Sequence, residues 1–220
     1  MKFENAAKGI KKIFSAEILA LIAMLATTVA AVALVLATGA ADLNDLGLAA
    51  VAGILLAVFG IAAVVLFIIS AILNIVGIVN ASKDDEGFKT ALIFTILGIV
   101  FAVLSAVFQN GNTTVYSICS TLQKISELCV TLYIIQGIIN LAQKLHNNDM
   151  VRRGTNLFKV ILAVYLIYLL VDILTIVLQA TSIIAGTIAI ALTVGGAVLS
   201  IIQYILYLIL LAKAKKMLAE

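Results

Sequence analysis

The stretch that decides the fold runs from Leu46 to Asn80 and reads LGLAAVAGILLAVFGIAAVVLFIISAILNIVGIVN. It contains no charged residue and no proline, and its apolar residues do not alternate with polar ones. An unbroken apolar run longer than about 18 residues is typical of a transmembrane helix, because a helix pairs all its backbone polar groups internally. We therefore predict a membrane-spanning helix over Leu46–Asn80.

The whole chain has the composition of an integral membrane protein. Its 220 residues are 64% hydrophobic and 11% charged, and its mean hydropathy is +1.25. Soluble domains contain about 25% charged residues. Strand-like alternation is absent, which predicts an all-α fold. No phosphate-binding loop, metal-ligand cluster, nucleophile motif or nucleic-acid-binding tract is present, so we expect a non-enzymatic protein without cofactor, metal or nucleic-acid partner.

The apolar runs and the basic residues together predict a six-helix transmembrane bundle. Of the 14 Lys and Arg residues, all except Lys124 lie near the two termini or beside the connections that follow the second and fourth runs. Because basic residues stay on the cytoplasmic side, both termini are predicted to be cytoplasmic, in a plasma membrane. The helices are predicted at about Ser15–Ala37, Leu46–Asn80, Phe88–Phe108, Thr114–Leu145, Thr155–Gln179 and Ile183–Lys216.

The first 14 residues are predicted to form a separate segment before the transmembrane domain at 15–220. Phe3, Ala7, Ile10 and Phe14 share one helical face, and lysines surround it. A helix with this pattern lies in the membrane interface with its apolar face in the lipid. We therefore predict a cytoplasmic interfacial amphipathic helix.

Similar segments recur about 67 residues apart and predict an internal repeat. They begin at Phe67, Tyr133 and Ile201. Three hairpins at about 15–80, 88–145 and 155–216, related by a pseudo-threefold axis along the membrane normal, would explain them. Chance similarity among Ile- and Leu-rich helices is the alternative. The layout resembles that of small bacterial HdeD-type membrane proteins, but no motif matches residue by residue, and the chain is not assigned to that family.

Polar residues at equivalent positions of the three segments predict a polar cluster in the membrane. Its members lie on one face of each even-numbered helix: Ser70, Asn74, Gln136, Asn140, Gln203 and Tyr207. Hydrogen bonding between helices is the structural interpretation. A path for a solute or an ion is the functional one.

Ionisable residues inside the predicted helices suggest a second group. Asp172 lies deep in the fifth helix, where a carboxylate needs a partner or a proton. We predict that Asp172 pairs with Lys124, and that Glu127 shares this contact. The group is either a structural ion pair or a cation or proton site that faces outward. Glu17, near the lysines of the N-terminus, is interpreted as an interface residue.

These patterns favour two functions. The first is an accessory, stress-related or complex-forming bundle that acts through helix contacts with a second copy or with a partner membrane protein. The alternative is a small channel or permease for an ion or small polar solute, using the polar cluster and the charge group.

Overall fold

The computed structural model describes residues 3–42, 46–109, 111–178 and 184–219, with side chains described at 3–38, 47, 50–109, 111, 112, 114–167 and 199–219. These residues form no strand, which confirms the all-helical prediction. They form six helices: α1 (Glu4–Asp42), α2 (Leu46–Ala81), α3 (Glu86–Phe108), α4 (Thr113–Lys144), α5 (Asn148–Leu178) and α6 (Ile184–Ala219).

Four helical stretches within the described part of the chain are long and apolar enough to cross a membrane. They are Glu4–Thr38, Ala50–Ala81, Glu86–Phe108 and Thr114–Lys144. Large apolar side chains cover their outer faces, and Val35, Ile61 and Val107 are 69%, 67% and 68% exposed. Exposure of such an apolar surface to water is unfavourable, whereas its contact with the hydrocarbon of a membrane is not. The structure therefore indicates an integral membrane protein.

The N-terminal segment contacts α2 in the structure. Residues 4–14 are the first part of α1 and continue into the apolar run without a break. The side chains of Ala6, Ile10 and Ile13 are fully buried, in one core cluster with Ile78 and Ala81. Part of this segment therefore packs on the C-terminal end of α2, and its location in the membrane interface stays a prediction. The sequence shows the apolar face but not the partner that covers it.

The helices pair as hairpins, with α1 packed mainly on α2 and α3 mainly on α4. Glycines allow close approach in both pairs. A Cβ atom added to Gly9 would lie 2.5 Å from the carbonyl oxygen of Gly77, and one added to Gly137 would lie 2.5 Å from the ring of Phe88. Side chains larger than hydrogen would therefore force these helices apart.

The connection between α2 and α3 joins the two hairpins. The carboxylate of Asp84 accepts hydrogen bonds from the backbone N–H of Ala6 at 2.7 Å and from Asn5 Nδ2 at 3.1 Å. A carboxylate at this place accepts hydrogen bonds from free N–H groups at the start of α1, and its negative charge interacts favourably with the helix dipole. Asp85 caps α3, where its Oδ1 accepts from the backbone N–H of Gly87 at 2.9 Å.

Asp85 also anchors α4 through a partly buried network. Its Oδ1 accepts from Asn140 Nδ2 at 3.0 Å, and its Oδ2 forms an ion pair with Lys144 Nζ at 2.8 Å. Gln136 Nε2 donates to Asn140 Oδ1 at 3.0 Å. Two members of the predicted polar cluster, Gln136 and Asn140, therefore hold α4 to the start of α3.

Candidate functional site

A cavity of about 400 Å³, here called the lateral cavity, lies beside α2, α3 and α4, with α1 and α6 contributing at its inner end. Ligand pockets in proteins have volumes of about 300 to 1,000 Å³. The cavity is partly open at its side, where Ile99 and Glu127 are exposed. Its polar lining residues come from all five of these helices: Glu17, Asn74, Thr95, Gln123, Glu127, Thr131 and Tyr207.

The cavity forms because the facing side chains of α3 are small. Thr95, Gly98 and Ala102 lie on one helical face and leave space in front of α4. On α4, the lining extends from Gln123 to Ile134, which is about 16 Å along a helix axis. α2 and α3 contact each other much less than α3 and α4 do, so this side of the bundle stays open.

Glu17 forms the centre of the inner end. Its Oε1 accepts a hydrogen bond from Asn74 Nδ2 at 3.3 Å. The hydroxyl of Tyr204 lies 3.1 Å from Oε2 of Glu17 and 2.8 Å from its backbone oxygen. These contacts fix the carboxyl group among α1, α2 and α6. No Lys or Arg in the described part of the chain forms an ion pair with it.

Asn74 leaves an acceptor unused beside Glu17. Its Oδ1 is shielded from solvent and has no hydrogen-bond partner. A buried polar atom without a partner is unfavourable by about 1 to 3 kcal/mol. Tyr207, which is 5% exposed, lines the same end of the cavity. This end therefore offers a carboxyl group without an ionic partner and a carbonyl oxygen without a hydrogen-bond partner among the described residues. Both are acceptors for a ligand that donates hydrogen bonds.

Glu127 provides a second carboxyl group farther along α4. Its Oε1 accepts from Gln123 Nε2 at 2.9 Å, and its backbone oxygen accepts from the hydroxyl of Thr131 at 3.2 Å. All three residues lie four positions apart on the face that lines the cavity. Because no basic side chain is among the lining residues that the structure describes, the electrostatic character of the cavity favours a cation.

The predicted polar cluster is distributed over several places. Asn74 and Tyr207 line the lateral cavity, whereas Gln136 and Asn140 belong to the Asp85 network. The Ser70 hydroxyl donates to the backbone oxygen of Ala16 at 2.8 Å and holds α2 to α1. Gln203 is half-buried. The six residues therefore do not form one continuous network in the structure.

The predicted charge group is described only in part. The side chain of Lys124 is exposed, and Glu127 accepts a hydrogen bond from Gln123. The side chain of Asp172 lies outside the described residues, so its pairing with Lys124 stays a prediction. Of this group, the structure places Glu127 at the cavity.

Sequence reasoning missed the role of Glu17 and its contact with Tyr204. Glu17 was interpreted as an interface residue because lysines precede it. A usable signal was present, since Glu17 follows Ile10 and Ile13 at helical spacings of seven and four and therefore lies on their face. Both isoleucines are fully buried. The predicted amphipathic face could have been continued through Glu17.

Comparisons of the chain with protein-family models, with curated proteins and with solved structures find no match.

Proposed function

We propose that this protein binds a small organic cation in the lateral cavity and carries it across the membrane, as a small permease. The observation that supports this most is the unpaired carboxyl group of Glu17 beside the unused Oδ1 atom of Asn74. A carboxylate in a membrane needs a proton or a cation. A cation with N–H groups would satisfy both acceptors at once through charge-assisted hydrogen bonds.

The two carboxyl groups suggest a route. Glu127 is exposed at the partly open side, and Glu17 lies at the inner end. A cation first attracted by Glu127 would move along the polar face of α4 toward Glu17. On the way it would exchange its hydrating water molecules for hydrogen-bond acceptors of the protein. Binding would be specific for charge because an isosteric neutral molecule gains no ionic contact with either carboxylate.

The proposed setting is a plasma membrane, with six spanning helices and both termini cytoplasmic. The support for it is the distribution of Lys and Arg in the sequence. We also retain the three-hairpin repeat as a proposal, supported by the pairing of α1 with α2 and of α3 with α4. The orientation is tested with Lys83→Cys in a chain without Cys119 and Cys129. Reaction of this variant with an impermeant reagent added outside cells would contradict the cytoplasmic location of Lys83 and of both termini.

Guanidinium and urea test the proposed site, because they have nearly the same shape and differ in charge. We expect the purified protein to bind guanidinium more tightly than urea in equilibrium titrations. Glu17→Gln removes the charge and keeps the size of the side chain, so it should weaken guanidinium binding at least about tenfold, which corresponds to one ionic contact. Urea binding should change little.

Glu86→Gln is the matched control for this titration. Glu86 is exposed in the first turn of α3 and does not line the lateral cavity. It should bind guanidinium like the unchanged protein. Equal affinity for guanidinium and urea, or an equal loss in the Glu17 and Glu86 variants, would reject the cation site.

A second function has its own support in the tight packing of α3 on α4. Phe88, Ile135 and Ile138 are fully buried, and the Phe88 ring leaves no space for a Cβ atom at Gly137. A bundle closed in this way also suits an accessory protein that acts through contacts with a second copy or a partner membrane protein. Binding of guanidinium without transport would favour that function.

A further inference from the structure

A groove of about 210 Å³ between α5 and α6, here called the α5–α6 groove, has a composition unlike that of the lateral cavity. One end is polar, with Arg153, Asn156 and Lys213. The rest is apolar and is formed by Leu157, Val160, Leu206, Ile209 and Leu210.

Helical spacing explains this arrangement. On α5, Arg153, Leu157 and Val160 follow one another at spacings of four and three, on one face. On α6, Leu206, Leu210 and Lys213 have the same spacings of four and three, but here the cation is the last of the three residues and not the first. The two cations therefore lie at one end of the groove, and the apolar part extends about 10 Å from them along the helices.

The groove has a protein floor and sides that face outward. Leu157 and Leu210 are only 6% and 3% exposed and form the floor. Val160, Leu206 and Ile209 are large apolar residues that remain exposed on the outer surface. In a membrane, such a groove is filled by lipid, because no water is available there and an empty apolar space loses packing contacts.

The polar end carries an excess of positive charge. Among the residues that the structure describes here, Arg152, Arg153 and Lys213 lie near one acid, Asp149. Its carboxylate contacts Arg153 Nε at 2.7 Å and Arg152 Nη2 at 3.5 Å. The Arg153 contact uses Nε, so the terminal nitrogens of its guanidinium remain available to another anion. Lys213 is exposed and forms no ion pair with a described residue.

We propose that the α5–α6 groove binds one anionic phospholipid, with its phosphate between Arg153 and Lys213 and an acyl chain along the apolar part. An arginine fork and a lysine ammonium match the oxygens of a phosphodiester. Basic pockets between transmembrane helices on the cytoplasmic side are suited to anionic headgroups. A zwitterionic lipid would bring a second cation next to the basic residues and bind less well.

Native mass spectrometry of the full-length protein tests this site with two lipids of equal chain length, dioleoyl phosphatidylglycerol and dioleoyl phosphatidylcholine. We expect the first lipid in each titration of phosphatidylglycerol to bind more tightly than phosphatidylcholine. Arg153→Ala combined with Lys213→Ala should weaken this first binding step about 30-fold, given the usual contribution of two basic residues at a membrane surface.

Two controls separate the groove from the general positive charge of the protein. Lys11→Ala with Lys216→Ala removes two exposed basic residues that do not line the groove, and it should leave the first binding step within about twofold. Val160→Trp fills the apolar part and should weaken phosphatidylglycerol binding while both cations remain. Unfolding midpoints without lipid verify that each variant is folded.

Three outcomes would overturn the proposal. They are equal losses in the two double variants, unchanged binding in the Arg153 and Lys213 variant, and displacement of the lipid by millimolar inorganic phosphate. The last result would show a phosphate site that needs no acyl chain. Because neither Arg153 nor Lys213 lines the lateral cavity, failure here leaves the guanidinium result unaffected.

Discussion

Lys144→Met is expected to lower the free energy of unfolding by about 3 to 5 kcal/mol, because it leaves the buried carboxylate of Asp85 without its ionic partner. The side chain of Asp85 is only 3% exposed, whereas that of Lys144 is 48% exposed. Asp85→Asn should therefore cost less, about 1 to 3 kcal/mol, since the freed ammonium of Lys144 can reach water. The order of the two losses follows from this difference in burial.

The combined variant Asp85→Asn with Lys144→Met measures the coupling between the two groups. It leaves no buried charge unpaired, so its loss should be clearly smaller than the sum of the single losses. Denaturant titrations in mixed micelles provide all three values. Lys159→Met, at an exposed lysine on α5, is the control and should change stability little. Additive losses, or a larger loss for Asp85→Asn than for Lys144→Met, would contradict the Asp85 network.

Gly9→Ala is expected to destabilise the protein by about 1 to 3 kcal/mol, because the added methyl group has no space. Its Cβ atom would lie 2.5 Å from the Gly77 oxygen and 2.6 Å from the backbone nitrogen of Ala81. Both contacts are with backbone atoms, so α1 and α2 must separate. Gly137→Ala should behave similarly, because the Phe88 ring that it meets is fully buried.

Gly60→Ala is the matched control for these substitutions. Gly60 lies inside a helix, α2, as Gly9 lies inside α1, but a Cβ atom at Gly60 meets no atom within 4 Å. It should leave stability unchanged or raise it by up to about 1 kcal/mol through helix propensity. The same denaturant titration compares the three variants. Equal effects of Gly9→Ala and Gly60→Ala would show that the close contact of α1 with α2 is absent.

Helix positions were predictable because apolar runs carry a strong local signal. The second, third and fourth helices begin and end within two residues of their predicted bounds. The contact of the N-terminal segment with α2 was not predictable, since an apolar face fits either lipid or protein and the sequence does not show which. The structure shows Ile10 and Ile13 in one core cluster with Ile78 and Ala81.

Some residues of the candidate site could be singled out from the sequence, but their contacts could not. Asn74, Glu127 and Tyr207 stand out in the sequence as polar residues in apolar helices, and the structure places all three at the lateral cavity. Asp85, which accepts a hydrogen bond from Asn140, lies in the short connection before α3, and the sequence does not single it out. Contacts of this kind depend on how the helices pack, and local spacing does not encode them.

Uptake of radiolabelled guanidinium by vesicles that contain the purified protein tests the central claim most directly. We predict uptake faster than in protein-free vesicles, its loss in Glu17→Gln, and its retention in Glu86→Gln, because Glu17 alone of the two lines the lateral cavity. Uptake by the unchanged protein that equals the rate of protein-free vesicles, or full uptake by Glu17→Gln, would contradict the proposal that the cavity carries a cation.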